Sequence, residues 1–533
     1  MSSALRKYNS SLTPVSAPVD DRQVKNNTGG FVYEVSDATR LDRFLILGVD
    51  GGTYYVSERD LTEQNVSWLQ KLIQKDAGLV LDRVFDVSHN GRAYRNSAAV
   101  FTLAMVLNYG DDAAKARVVS MTPLVARIAT HVYELAQYIE NLGGWGRAKR
   151  RAIVNWFKSK TADELAYQAV KYRQRNGWTL RDLMRLSHPV GVDSEVGAFI
   201  LGHGVSDAST LGILQGFSEI QSAQTVSEVC SVLQIYKSLP WETVPTQFHK
   251  DPAVWKTLFY NGQLKGQALV RNVVRLARAG AFNDLSFAGD YAKALTDEEM
   301  IRKSRLHPVQ FLLASITYEE GQTVRGQGIF SSSRNKDWNT NPKILKALQD
   351  GFYKAFKYSE PSGNRIRIGV DVSGSMSWSS AVGADITAAQ GSAIMALTLA
   401  RQEDYVEILG FANTLRDLAI HDGMGFSQVL KKVQLNNFGH TDPSLLIQDA
   451  MNSHQEFDTF VVITDNEVNS GTHPSRMLKN YRDKMGIDAK LVVMGMTSTG
   501  FTIADPSDRG MLDVCGFDAN VPKVITDFMS GKI

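Results

Sequence analysis

The sequence predicts a two-part protein, a helical array over residues 1–360 followed by an α/β unit with a mainly parallel sheet over 361–533. Three observations carry that division. Before the turn-rich stretch Glu360-Pro361-Ser362-Gly363-Asn364, apolar residues recur at helical spacing; after it, β-rich apolar runs alternate with helical ones. The charge also splits there. Lys and Arg exceed Asp and Glu by 44 to 36 over residues 1–364 and fall short by 14 to 20 over 365–533.

In the first part, Ala162, Leu165, Ala166, Ala169 and Val170 mark one helix and Leu269, Val270, Val273, Val274 and Ala277 another, with loops such as Asn141-Leu142-Gly143-Gly144 and Ser187-His188-Pro189 between segments. No strict period emerges, which suits degenerate helical pairs of the HEAT type, an α-solenoid. Near the start, Gly51-Gly52 reads as a β-hairpin turn joining Phe44–Leu47 to Thr53–Val56. The same stretch, Gly48 to Thr53, is similar to the first phosphate loop of actin-like ATPases, but no second nucleotide loop accompanies it. Beyond the linker, residues 366–371, 405–411, 459–464 and 489–494 are apolar and β-rich, and 386–401 and 474–485 are helical between them, an order that gives parallel strands wrapped by helices.

Composition narrows the class. A hydrophobic fraction of 43% and a charged fraction of 21% are those of a soluble globular chain. The polar start, Met1 to Gly30, has no apolar core of a secretory signal, and no apolar run reaches membrane length, so a cytoplasmic protein without membrane contact is expected. Cys230 and Cys515 match no metal spacing and read as buried free thiols.

Residues 147–185 hold eleven basic and three acidic side chains, a local excess that points to a polyanion, nucleic acid before membrane because no strongly apolar face accompanies it. Arg147, Lys149, Arg150, Arg151 and Lys158 share a segment whose apolar set, Ala148, Ala152, Ile153, Trp156 and Phe157, packs inward while the cations face water. Lys171 and Arg175, four apart, are expected on one helical face, as are Arg181 and Arg185 on a helix that Thr179 and Asp182 cap. Arg271, Arg275 and Arg278 form a further stripe at i, i+4 and i+7. A solvated helix surface is the bland alternative, but such faces normally interleave acids with their cations. Arginine predominates, which suits forked contacts to phosphate. His188, before Pro189 at a helix end, is ambiguous alone, since a His there is more often a cap or a satisfied structural residue than a ligand contact.

The α/β part carries its own chemistry. Asp371-Val372-Ser373-Gly374-Ser375 follows the apolar run Ile366–Val370, Thr441 lies in Gly439-His440-Thr441-Asp442, and Asp465 ends the run Thr459–Thr464. Alone, D-x-S-x-S is a common turn, because Asp and Ser bond their own backbone. All three pieces, however, fall at C-terminal ends of predicted strands or beside them, where open α/β sheets bind ligands. Asp371, Ser373, Ser375, Thr441 and Asp465 offer two carboxylates and three hydroxyls, hard ligands that suit Mg²⁺ better than a carboxylate-rich Ca²⁺ cage. The pattern is that of the metal-ion-dependent adhesion site of von Willebrand factor A domains. No nucleophile is assembled with a base, so no catalytic residue is assigned and a non-enzyme is expected.

The chain as a whole resembles the Ro autoantigen, or TROVE-domain, family, and is similar to its bacterial members. The resemblance is carried by Gly51-Gly52-Thr53-Tyr54-Tyr55, Trp145-Gly146-Arg147-Ala148, Lys171 to Trp178, Leu186-Ser187-His188 and Arg305-Leu306-His307-Pro308, and in the last part by Gly495 to Ser498, Gly500 to Pro506 and Asp508 to Asp513. It implies a ring of HEAT-like repeats closed by a Rossmann-like von Willebrand factor A domain. It implies a monomer that binds small noncoding Y RNAs on an outer basic surface, with single-stranded 3′ ends of misfolded RNAs threading the hole. It further implies a 3′-to-5′ exoribonuclease partner and a role in RNA quality control, maturation or decay under stress. Lys171, Arg175 and His188 match family positions that contact RNA. Asp50 departs from the family's Glu, and His440 from an expected Gly. The competing class is an adhesion-type module whose metal takes a partner's carboxylate.

Overall fold

The computed structural model describes residues 13–48, 58–206, 209–321, 337–357, 360–379, 386–433 and 440–533. They form two compact units, one of residues 1–69, 92–95 and 356–533 and one of 70–91 and 96–355. The linear cut near Glu360 therefore marks where the main sheet begins, while the unit built on that sheet also takes in the beginning of the chain.

The sheet unit is organised by six strands, β3 (Arg365–Asp371), β4 (Tyr405–Phe411), β5 (Leu415–Asp417), β6 (Thr459–Thr464), β7 (Lys490–Gly495) and β9 (Met511–Cys515), in the order β5-β4-β3-β6-β7-β9. All neighbours run parallel except β5, which pairs antiparallel at the edge. β3 and β6 are buried on nearly every residue, as strands covered on both faces must be. The helices Ala388–Gln402 and Pro474–Met485 cover them. The chain leaves β3 toward β4 on one side and later returns to β6 on the other, so the C-terminal ends of β3 and β6 are the switch point of the sheet, where open α/β sheets bind ligands.

The N-terminal residues complete this unit. β1 (Gln23–Lys25) and β2 (Phe31–Glu34) form a hairpin whose second strand pairs antiparallel with β8 (Phe501–Thr502). The helix Asp37–Leu47 follows, capped by Ser36, whose side chain accepts from the Thr39 N–H. Its fully buried Arg43 donates to the carbonyls of Thr499 and Phe501 at 2.8 and 2.7 Å and to Asp513 at 2.6 Å. The expected hairpin strand Phe44–Leu47 is thus the end of a helix; Leu41 to Leu47 are all buried, so a short continuous apolar run there does not distinguish helix from strand. The rest of the expected hairpin, Gly51 to Val56, and Asp50 with it, lies outside the described residues.

The helical unit stacks its helices in pairs, of which Ser97–Tyr109 and Ala129–Asn141 run parallel, Ser97 meeting Glu134 and Phe101 meeting Tyr138. Ser97–Tyr109 packs on Ala129–Asn141, Asp112–Val125 on Arg147–Lys158, and Pro308–Glu320 on Pro342–Lys354. Trp156 and Trp255 fill its interior, the Trp156 indole donating to the Ala126 carbonyl at 2.6 Å. Late residues come back to early ones: the Arg305 Nε–H donates to the His89 carbonyl at 2.6 Å, so the succession of helices returns to its own start.

Two helix expectations are corrected. The helix Ala162–Lys171 ends at Lys171, so Arg175 does not share its face; Arg175 instead closes a turn with Trp178 through paired backbone bonds of 3.0 and 2.8 Å. Asn176 and Gly177 supply the left-handed backbone that this turn requires. The Arg271 to Arg278 stripe is not one helix but two, Gln267–Arg271 and Val273–Arg278. The break falls at buried Asn272, whose amide donates to the Ala268 carbonyl at 2.8 Å. Thr179 and Asp182 do form a capping box, on the helix Leu180–Ser187.

Candidate functional site

In the sheet unit the five proposed ligands are all buried, each at most 1% exposed. Asp371 ends β3, and Asp465 immediately follows Thr464, the last residue of β6. Thr441 is brought to the same end of the sheet because the Asp442 N–H donates to the Ala412 carbonyl, one residue beyond β4, at 2.9 Å. One Asp371 oxygen accepts from the Ser373 N–H at 3.0 Å and the other from the Thr464 hydroxyl at 2.6 Å. The Ser373 and Ser375 hydroxyls lie 3.0 Å apart, and the other acid, Asp465, accepts from the Glu467 N–H at 3.0 Å.

Burial, and then the charge of Asp465, pushes the Asp371 carboxyl up from its ordinary range, and burial pushes Asp465 up likewise. Burial, then Asp465, raises Glu467 to about 8. Asp371 and Asp465 are therefore two buried acids that raise one another's cost of ionisation, which a cation between them would relieve. Two oxygens stand ready for it: the Thr441 Oγ1 and one Asp465 carboxylate oxygen are buried without a hydrogen-bond partner. The donor set is hydroxyl-rich, and among the described residues no group of three or more His, Cys, Asp or Glu side chains is placed to hold an ion. His440 is exposed beside buried Thr441.

In the helical unit, Arg147, Arg150, Arg151 and Lys158 are exposed as expected, but Lys149 is buried. Its ammonium donates to Asn108 Oδ1 at 2.9 Å and to the Gly144 carbonyl at 2.7 Å, so it ties the Asn141–Gly144 loop instead of facing water. Arg181 and Arg185 are exposed on their helix. His188 is the C-cap of that helix in the left-handed conformation, φ 50°, with its side chain exposed, so it is a cap that also faces solvent. Arg175 is 56% exposed and reaches the buried Glu134 at 3.4 Å.

Lys171, kept apart from the Arg271 and Arg275 stripe by sequence, is brought near it at Glu242. The Lys171 ammonium lies 3.8 Å from Glu242 and sits over the rings of Tyr167 and Tyr172 at 5.2 and 5.4 Å. Glu242 also feels Arg271, although burial dominates and holds its carboxyl above the usual range. The Arg275 guanidinium lies 4.9 Å from the centre of the half-buried Trp241 ring. Burial and neighbouring Arg271 push Arg275 down. Arg278 stacks on Trp338 at 5.4 Å and pairs with Asp337 at 2.8 Å. The result is a partly exposed surface on which cations alternate with aromatic rings.

Sequence reasoning named these cations but not Tyr167, Tyr172, Trp241 or Glu242. Tyr167 stands one turn before Lys171, a signal that was present. Trp241 and Glu242 sit in the short 3-10 turn Trp241–Thr243 outside any periodic segment, where spacing carries no information.

Comparison with known proteins agrees with both halves. Residues 24–207 and 218–333 match the TROVE domain family, and residues 365–529 match the Ro60 vWA domain. The chain belongs to the TROVE-domain Ro60 family. "RNA-binding protein RO60" of Deinococcus radiodurans is 37% identical over 543 residues, covering 100% of both chains. The protein of the same description from Caenorhabditis elegans is 31% identical, covering 97% of this chain and 91% of its own. The crystal structure of the Deinococcus radiodurans RO (RSR) protein superposes with a TM-score of 0.67 at 35% identity, covering 93% of this chain and 100% of that one. Among the described residues no helix is long and apolar enough to cross a membrane.

Proposed function

We propose that this chain is a non-catalytic RNA-binding scaffold whose helical unit grips RNA and whose sheet unit docks a partner through a Mg²⁺ site. The observation that carries the RNA reading is the surface formed by Lys171, Arg271 and Arg275 with Tyr167, Tyr172 and Trp241. Cations that follow phosphates, interleaved with rings on which bases stack, are what a single strand requires. The names of the relatives support the same ligand class. Following the family resemblance, the RNAs are small noncoding Y RNAs and single-stranded 3′ ends of misfolded RNA. The chain acts as a cytoplasmic monomer in RNA quality control under stress, and hydrolysis belongs to a partner 3′-to-5′ exoribonuclease.

Asp371, Ser373, Ser375, Thr441 and Asp465 are the residues that would hold the ion, since their oxygens are hard and two of them lack partners. Bound Mg²⁺ supplies a cationic centre to which a partner's carboxylate coordinates. Ser373 and Thr464 orient Asp371 for that role by their hydrogen bonds. The same two unpartnered oxygens favour a second reading, an adhesion-type protein-binding module to which RNA is incidental.

One experiment separates the readings: end-labelled RNA is incubated with purified protein and Mg²⁺. The scaffold reading expects RNA bound at full length. Shortened RNA would make the protein a nuclease, and absence of binding would leave only the adhesion module.

A further inference from the structure

The loop that leaves β6, residues 465–473, is held on one side by a metal-site residue and on the other by the N-terminal arm. Toward the site, the Thr441 N–H donates to Asn469 Oδ1 at 2.9 Å. Toward the arm, the fit is close. The Asn26 amide donates to the carbonyls of Val468 and Asn466 at 2.8 and 3.3 Å, and its oxygen accepts from the Gly30 N–H at 2.8 Å, which closes the Asn26–Gly30 turn on itself. The Asn27 N–H donates to one Glu467 oxygen at 3.1 Å, while its side-chain amide donates to the other. A Cβ at Gly30 would stand 2.0 Å from the Val468 carbonyl oxygen, so no other residue lets the arm lie this close. Farther down, the Val15 N–H donates to the Gly471 carbonyl at 2.9 Å and the His473 Nε2 meets the Ala17 carbonyl at 2.8 Å.

The arm therefore grips the segment that begins at Asp465 and, through Asn469, also fixes Thr441. Those two residues carry the oxygens without partners. We propose that the N-terminal arm, through Asn26, Asn27 and Gly30, is a clamp that positions the Asp465 and Thr441 ligands, so that arm docking and metal occupancy strengthen each other. Asn26 and Asn27 are positioning residues; neither reaches the ligand oxygens. The inference rests on the metal reading given above. Coupling between the two is reciprocal by thermodynamic necessity, which supplies two independent readouts.

The test titrates Mn²⁺, as a spectroscopic substitute for Mg²⁺, into the full-length protein and follows free ion by electron paramagnetic resonance. Asn26→Ala and Asn27→Ala should each weaken Mn²⁺ binding by about fivefold or more, the lower end of an ordinary coupling between two sites. RNA affinity, which belongs to the other unit, should not change. In unsubstituted protein, Mg²⁺ should slow hydrogen exchange at the Asn27, Thr28 and Gly30 amides, a readout that survives if a variant fails to fold. If unsubstituted protein binds no Mn²⁺, the metal reading fails and the clamp with it. If it binds Mn²⁺ but the folded variants bind equally well, or if arm exchange ignores Mg²⁺, the metal reading stands and the clamp is wrong.

Discussion

Glu242→Gln should strengthen the binding of single-stranded RNA. Glu242 stands 3.8 Å from the Lys171 ammonium and also acts on Arg271 and Arg275, so an incoming phosphate must compete with a carboxylate already in place. Its side chain is 30% exposed, which leaves it within reach of solvent and salt but not fully screened. Removing the charge frees Lys171 to neutralise about one more phosphate. For single strands each such contact steepens the slope of log affinity against log salt by about 0.7, which amounts to about a threefold difference between 50 and 200 mM salt. Fluorescence anisotropy with a labelled single-stranded oligonucleotide at several salt concentrations measures both quantities. The variant should bind more tightly at low salt, and its slope should be steeper. An unchanged slope would show that phosphates do not meet Lys171, and weaker binding would show that Glu242 itself contacts the RNA.

Other perturbations address the remaining parts. Trp241→Ala should weaken single-strand binding by about 1–3 kcal/mol, the usual worth of a stacked base, with Trp241→Phe recovering part of the loss and duplex binding unaffected. Lys149→Met should cost about 1–3 kcal/mol of stability in denaturant titration, because it orphans the acceptors on Asn108 and Gly144, while leaving RNA affinity intact. Without divalent ion, stability should fall as pH rises from the ordinary carboxylate range toward 8, since folded-state pKa values raised at Asp371, Asp465 and Glu467 favour the folded form only while these groups hold protons. Added Mg²⁺ should accordingly raise the melting temperature more at pH 8 than at pH 6, and Asp371→Ala should abolish that gain without altering RNA binding.

The sheet was legible because its strands are short, apolar and punctuated. The run expected at 459–464 is β6, and that expected at 489–494 is shifted by one residue in β7. The proposed ligands Asp371 and Asp465 lie where the strand ends visible in the sequence put them, whereas Thr441 arrives on a loop between the helices Phe426–Lys432 and Leu445–Asn452. The edge pieces β5, β8 and β9 were missed, being two to five residues long and only partly buried. In the helical part, periodicity found faces but not interruptions. Nothing in the spacing of Arg271, Arg275 and Arg278 shows that Asn272 turns its amide back on the chain, or that the helix carrying Lys171 stops before Arg175. Long-range pairing was beyond reach: Asn26 meets Val468 across 442 residues, and Glu242 stands among cations from three separate helices.

Photocrosslinking shows whether single-stranded RNA lies on the cation–aromatic surface of the helical unit. An RNA with a 4-thiouridine-containing 3′ tail is irradiated on the full-length protein, and the attached peptides are identified by mass spectrometry. Crosslinks should fall on Tyr167, Tyr172 and Trp241 and disappear when an unlabelled tailed RNA competes, while a blunt duplex competes poorly. Crosslinks confined to residues 365–533, or equal competition by tailed and blunt RNA, would contradict the account.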